Sequence, residues 1–292
     1  MCDVDERHQH AVDAAIAGGE GLRTVVVGKG GVGKSTITAL LARILARRGA
    51  QVLAVDADEQ RNLAATLGLA AAAAAIVPLA EQADYVEEKT GARPGEGSGG
   101  ILRLNPDVSD VVERLGVPAP DGVRLLVMGT VRRAGSGCLC PEHSLLAATV
   151  GGMSLRRGEV VLMDTHAGVE HFGRALARGF DRALVVVDPT FNAMHVGVEA
   201  ARLSIDLGIH DVRLLVNRVR GPDDLCRALD NISRAGDFAF HSLHALPYDE
   251  LAMASEPAVD ELLRGSDLAG AVGALAAELV PAATTPILQA VR

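Results

Sequence analysis

The chain has 292 residues, nearly half of them apolar but only 2% aromatic, so a large core must be aliphatic. Its formal net charge of −9 excludes a protein that grips nucleic acid over a broad basic face. Lys29, Lys34 and Lys89 are the three lysines among 28 basic residues, and two of them share one short loop.

Residues 1–22 read as an N-terminal extension, acidic at Asp3, Asp5, Glu6 and Asp13, without the basic-then-apolar pattern of an export signal. Residues 23–280 read as one α/β domain. Thr24–Val27 is β-branched and predicts a strand that runs straight into Gly28-Lys29-Gly30-Gly31-Val32-Gly33-Lys34-Ser35-Thr36. Ile37, Leu40, Leu41, Ile44 and Leu45 then keep helical spacing through Ser35–Arg48, until Gly49 stops the helix. Gln51–Val55 predicts the second strand, ending at Asp56. Residues 68–122 break the rhythm with an alanine run, a Gly/Pro/Ser stretch and the polar segment Asn105–Asp110. They predict an insertion, part helix and part loop, between the second and third strands. Further strands are predicted at Val123–Met128, Val160–Met163, Ala183–Val187 and Val212–Val216. Helices are predicted at Glu170–Arg178 and Asn192–Leu207, with one or two covering helices between Asp260 and Leu279 and a tail at 281–292. Near-continuous apolar strands belong to a sheet buried on both faces, so the pattern predicts a doubly wound, mostly parallel sheet. No apolar run is long enough to span a bilayer. The expectation is a cytoplasmic protein that binds neither membrane nor nucleic acid, with Cys2, Cys138, Cys140 and Cys226 free or metal-bound.

Three constellations carry chemistry. Gly28-x4-Gly33-Lys34-Ser35 is a complete P-loop pattern. The backbone amides of Gly30, Gly31, Val32, Gly33, Lys34, Ser35 and Thr36 can cradle phosphates at a helix N-terminus, Lys34 can reach the β- and γ-phosphates, and the Ser35 hydroxyl can ligate Mg²⁺. Asp56-Ala57-Asp58 and Asp164-Thr165-His166-Ala167-Gly168 each follow an apolar strand, at the edge where parallel sheets bind ligands. One carboxylate there can hold a metal-bound water and another can orient an attacking water; helix capping is the alternative for Asp58. His166 reads as a solvent-side loop residue, with metal ligation or proton transfer as the sharper alternative. Cys138-Leu139-Cys140, flanked by Gly135, Gly137 and Pro141, supplies two thiolates where a tetrahedral site needs four, and a two-fold dimer could supply the rest. A redox pair or two structural cysteines are the alternatives, and His143 and His171 are further candidate ligands.

Lys-Gly-Gly-Val-Gly-Lys-Ser-Thr resembles the deviant Walker A motif of the MinD/ParA/nitrogenase-iron-protein ATPases, P-loop NTPases of the SIMIBI class. The resemblance implies an ATPase that forms an ATP-dependent sandwich homodimer, with Lys29 reaching the partner's nucleotide. It further implies Asp58 as the hydrolysis residue, Asp56 in the magnesium shell and Asp164 as the Walker B carboxylate. It places Asn217 on the adenine edge and Leu246-Pro247-Tyr248-Asp249 over the base. No Asn/Thr-Lys-x-Asp guanine motif occurs, which favours ATP and ADP. Gly135–His143, Leu104-Asn105-Pro106, Val127–Val131 and Ala167–Arg174 together resemble the nickel-insertion accessory ATPases of carbon monoxide dehydrogenase, the CooC family, over roughly Arg23 to Ala274. That likeness implies Ni²⁺ (or Zn²⁺) held by Cys138 and Cys140 of both chains, and a nickel carbon monoxide dehydrogenase as client. Glu59, where the family usually has proline, and His166, where it often has an acid, depart from the pattern. Two other readings stay open. A MinD/ParA-type positioning ATPase would need a basic membrane- or DNA-binding segment, and 281–292 holds one basic residue. An iron–sulfur-bridged reductase would carry widely separated cysteines in place of Cys-x-Cys.

Overall fold

The structure, a computed structural model, describes residues 21–93, 103, 106–129, 145, 148–149, 158–166, 179–236, 238–254 and 258–280. Its centre is β1 (Leu22–Gly28), where Val25, Val26 and Val27 are buried, each side chain contributing about 1.5–3 kcal/mol by leaving water. Helix α1 (Lys34–Arg47) follows, then β2 (Gln51–Ala57). Short helical turns at Asn62–Ala64, Ala65–Leu69 and Ala70–Ala73 lead into the insertion, with a break at Gly68, whose φ is 103°. The insertion carries α2 (Ala83–Thr90), α3 (Val111–Leu115) and a two-residue strand, β3 (Val117–Pro118). The regular alternation returns with β4 (Arg124–Val127), β5 (Glu159–Thr165), β6 (Arg182–Val187), α4 (Phe191–Asp206) and β7 (Asp211–Val219). The last elements are α5 (Pro222–Ala235), β8 (Ser242–Pro247), α6 (Glu250–Ala254) and α7 (Asp267–Leu279).

The eight strands lie in the order β3-β4-β2-β5-β1-β6-β7-β8. All pairs are parallel except β3 with β4. Helices α1 and α7 pack together over one face, and α4 and α5 over the other. Gly197 brings α4 down onto the sheet, since a Cβ there would lie 2.5 Å from Val187 Cγ1. Four elements were not anticipated from the sequence: β3 inside the insertion, α5, the edge strand β8 and the short α6. The predicted helix at Glu170–Arg178 and the terminal segments 1–20 and 281–292 lie outside the described residues.

After β1 the chain turns to one side of it, through β2, β4 and β3; after β5 it crosses to the other, through β6, β7 and β8. The switch in direction opens a crevice at the carboxyl end of β1. Register sharpens it: Asp56 of β2 is level with Asp164 of β5, and Asp164 with Val26 of β1.

Candidate functional site

The turn from β1 into α1 is set by backbone conformations that only glycine adopts easily. Gly28 has φ 143°, and a Cβ there would sit 2.1 Å from the Val186 carbonyl oxygen on neighbouring β6. Gly33 has φ 100°, and a Cβ there would sit 2.6 Å from Asn217 Nδ2. Gly33 also caps α1 without a side chain, and no acidic residue stands in the first turn. The first amides of α1 are therefore left to a ligand, at the end of the helix where its dipole favours an anion.

Lys34 is buried, and its Nζ donates to the Lys29 carbonyl at 3.1 Å, folding the ammonium back over the loop. Burial lowers its pKa, opposed by the nearby Asp164 and Asp58 carboxylates. Ser35 Oγ donates to Asp164 Oδ2 at 2.5 Å. Asp164 is fully buried, and its Oδ1 has no hydrogen-bond partner. Desolvation pushes its pKa up to about 7. Asp56, alongside it, accepts Asp58 N–H at Oδ1 and Leu63 N–H at Oδ2, both at 3.1 Å. Desolvation and then the Asp164 charge push its pKa up to about 8. Asp58 accepts Gln60 N–H at 2.8 Å, closing an Asx turn; it caps no helix. Thr165 Oγ1 ties β5 to β1 by donating to the Val26 carbonyl at 2.8 Å.

Two adjacent buried carboxyls at the foot of a phosphate-type loop, one with an orphaned oxygen, are the donor set of a cation that arrives with phosphate. Mg²⁺ binds through one or two protein oxygens and keeps the remainder of its shell from phosphates and water, so Ser35 with Asp164 and Asp56 fits it. No cluster of three or more His, Cys, Asp or Glu able to hold a metal alone occurs among the described residues. Cys138, Cys140, His143 and His171 fall outside them, as does Gly168.

A cavity of ≈ 450 Å³ opens from the loop. Its phosphate-side wall holds Gly30, Gly31, Gly33, Lys34, Ser35, Thr36 and Asp58, and its far wall holds Asn217, Pro247, Tyr248 and Asp249. Of the residues singled out from sequence for this site, Lys29 is exposed and does not line the cavity, and Val32 and Asp56 are buried behind the wall. Asn217 does something the sequence did not reveal: its Nδ2 donates to the Val32 carbonyl at 2.8 Å, so β7 braces the loop. The Arg218 amide holds the other end of that carboxamide, at 2.9 Å. His166, read as a solvent-side residue, instead lines the cavity. Gln60, Asn62, Thr66, Arg218, Met253 and Leu268 also line it and were missed; proximity to Asp58 and Asn217 in sequence was the available signal for the polar ones. Arg220 stacks its guanidinium over the Tyr248 ring at 4.4 Å, steadying the far wall. Asp249 accepts Leu251 and Ala252 N–H at 2.9 and 3.2 Å, starting α6.

Comparison with known proteins adds to this geometry. Residues 24–257 match the family model for the CobQ/CobB/MinD/ParA nucleotide binding domain. The carbon monoxide dehydrogenase accessory protein CooC of Rhodospirillum rubrum is 37% identical over 238 residues, 81% of this chain and 88% of that protein. An uncharacterised ATP-binding protein of Methanocaldococcus jannaschii is 37% identical over 235 residues, 80% of this chain and 88% of its own length. The septum site-determining protein MinD of Pyrococcus horikoshii, solved with Mg-ADP, shares the fold with a TM-score of 0.59 at 18% identity, over 89% of this chain and 96% of that one.

Proposed function

This chain belongs to the CobQ/CobB/MinD/ParA nucleotide-binding family and, within it, to the group of the accessory protein CooC; from that premise we propose an ATPase that dimerises on ATP and delivers nickel to a carbon monoxide dehydrogenase. The observation that carries the ATPase reading is the pairing of Asp56 with Asp164 beneath Ser35, with one Asp164 oxygen left open. The phosphates lie along the free amides of α1, and Lys34 neutralises the β- and γ-oxygens. Mg²⁺, when bound through Ser35 with Asp164 and Asp56 behind it, supplies neutralisation of the same oxygens. Asp58, at the cavity wall, orients a water for in-line attack on the γ-phosphorus. The bond from that phosphorus to the β-bridging oxygen breaks, giving ADP, inorganic phosphate and a proton. Lys29, exposed at the loop tip, reaches the nucleotide of the second protomer.

Nickel is cargo in this reading. Cys138 and Cys140 of two protomers give four thiolates, the number a closed tetrahedral site requires. The support is the Cys-x-Cys block in the sequence together with the likeness to CooC. The test is a pair of variants. Lys34→Ala loses ATP by calorimetry, and normal affinity there refutes the phosphate assignment. Cys138→Ser with Cys140→Ser keeps ATP but loses stoichiometric nickel; unchanged nickel stoichiometry removes the cargo role and leaves the ATPase standing.

A further inference from the structure

The turn after β2 contributes Asp58, Gln60 and Asn62 to the cavity wall. It is fastened to the strand end Met128–Gly129 by two routes. The first is short: the Asp56 carbonyl accepts Met128 N–H at 2.8 Å, while the Asp56 carboxylate takes Leu63 N–H. The second runs through the insertion. The Arg61 guanidinium donates to the Glu81 carboxylate. Next to Glu81, the Ala80 amide donates to the Met128 carbonyl at 3.0 Å. Pro78 closes on Gly129 so tightly that a Cβ at Gly129 would lie 2.5 Å from Pro78 Cβ. The two routes form a ring: Asp56, Leu63, Arg61, Glu81, Ala80, Met128 and back to Asp56.

Every link of that ring but one is a backbone bond or involves the buried Asp56 carboxylate. The exception is Arg61–Glu81, whose side chains are 33% and 51% exposed, where solvent screens the pair. Arg61 is also held at φ 54°, in the left-handed region that a side chain resists. The Arg61 amide donates to the Asp58 carbonyl at 3.2 Å, so that backbone is fixed within the turn, and the exposed ion pair is the link of the ring that a small movement of the turn opens most easily.

We infer that Arg61–Glu81 is a latch that passes occupancy of the terminal-phosphate position from the nucleotide turn to the end of β4, where the chain continues toward Cys138. The inference rests on the proposed reading in taking Asp58–Asn62 to face that phosphate; it does not depend on nickel. Arg61 and Glu81 act as positioning residues.

Hydrogen exchange read by mass spectrometry on the full chain tests it, in free, Mg-ADP and Mg-AMPPNP states. AMPPNP, but not ADP, changes Ala80 amide exchange by about fivefold or more. Met128 N–H, on the short route, stays protected throughout and reports that the fold is intact. Arg61→Ala and Glu81→Ala each abolish the AMPPNP effect at Ala80 without loss of AMPPNP affinity, and Arg61→Glu combined with Glu81→Arg restores it. An effect that persists in the single variants, is missing from the wild type, or is not restored by the exchanged pair overturns the latch. Calorimetry on the same samples separates the two readings. Normal AMPPNP binding with an unresponsive Ala80 removes the latch alone. A wild type that binds no AMPPNP removes the nucleotide reading and the latch with it.

Discussion

Asp164 is fully buried beside Asp56, with one oxygen on Ser35 and the other on nothing. Both carboxyls have folded pKa values raised from 3.8, to about 7 and about 8. Between those values and 3.8 the folded protein holds protons that the unfolded chain has released, so stability falls as pH rises. The nucleotide-free protein is accordingly more stable near pH 5 than near pH 8. Asn at 164 keeps an acceptor for Ser35 and needs no charge, which makes Asp164→Asn more stable than wild type at pH 8 by at least about 1 kcal/mol. Urea melts of both proteins at pH 5 and pH 8 measure this; equal pH slopes refute it. Mg²⁺ with ADP at about 100 times Kd adds about 2.7 kcal/mol to the wild type at pH 8. Asp164→Asn forfeits most of that gain, because the carboxylate bonded to Ser35 is gone and Asp56, engaged by the Asp58 and Leu63 amides, remains as the single negative partner of the cation. Burying two acids here costs stability in the empty protein and is offset only when cation and phosphate arrive.

At the scale of elements, α1 does more than start at the phosphate loop. Arg43, buried on its inner face, donates Nε to Asp121 and a guanidinium nitrogen to Asp260, both at 2.7 Å. Asp121 is held at φ 60° at the end of the insertion, and Asp260 precedes α7, so one side chain clamps three segments. Arg43→Ala leaves Asp260 without its ion pair and Asp121 with Arg47 alone, whose Nε lies 3.0 Å away, and is expected to cost about 2 kcal/mol, less than a fully buried pair because both acids keep some solvent. A urea midpoint that does not move contradicts the clamp, and Arg43→Lys recovers only part of the loss, since an ammonium cannot reproduce the fork. The central strands and α1 were legible because their signals are local and apolar. Strand β8 was not: Ser242, His244 and Pro247 interrupt its apolar run, and exposure alternates along it. Helix α5 was legible and was overlooked: Leu225, Ala228, Leu229 and Ile232 keep helical spacing between Pro222 at its start and Gly236 at its end. In the site, the loop was legible and the acids were placed at strand ends. Their adjacency follows from the β2–β5 pairing, and the Asn217 brace from β7 lying beyond β6; neither is written in local spacing.

At the scale of the whole molecule, the protomer builds a complete phosphate cradle and still leaves a lysine over. Lys34 turns inward to the Lys29 carbonyl, whereas Lys29 itself stays exposed. Gly30 and Gly31 beside it are exposed as well, and a Cβ at Gly31 would meet nothing within 4 Å. An open, uncrowded loop tip bearing one cation suits an approaching surface that carries a phosphate. In the proposed dimer that phosphate is the partner's nucleotide, and the two-fold axis makes the contact reciprocal. Each protomer then gives one Lys29 and receives one, so its loss removes two contacts per dimer. Lys29→Ala is therefore expected to bind ATP with nearly the affinity of wild type as a monomer, because Lys34, Ser35 and the α1 amides are untouched. It should fail to dimerise with AMPPNP in sedimentation-velocity runs at concentrations where wild type does, and its hydrolysis should drop at least about tenfold, as for an arginine finger supplied in trans. A Lys29→Ala protein that still sediments as a dimer and hydrolyses ATP at the wild-type rate would place the sandwich interface elsewhere. A four-thiolate nickel site shared between Cys138 and Cys140 of two chains would then lose its route of assembly.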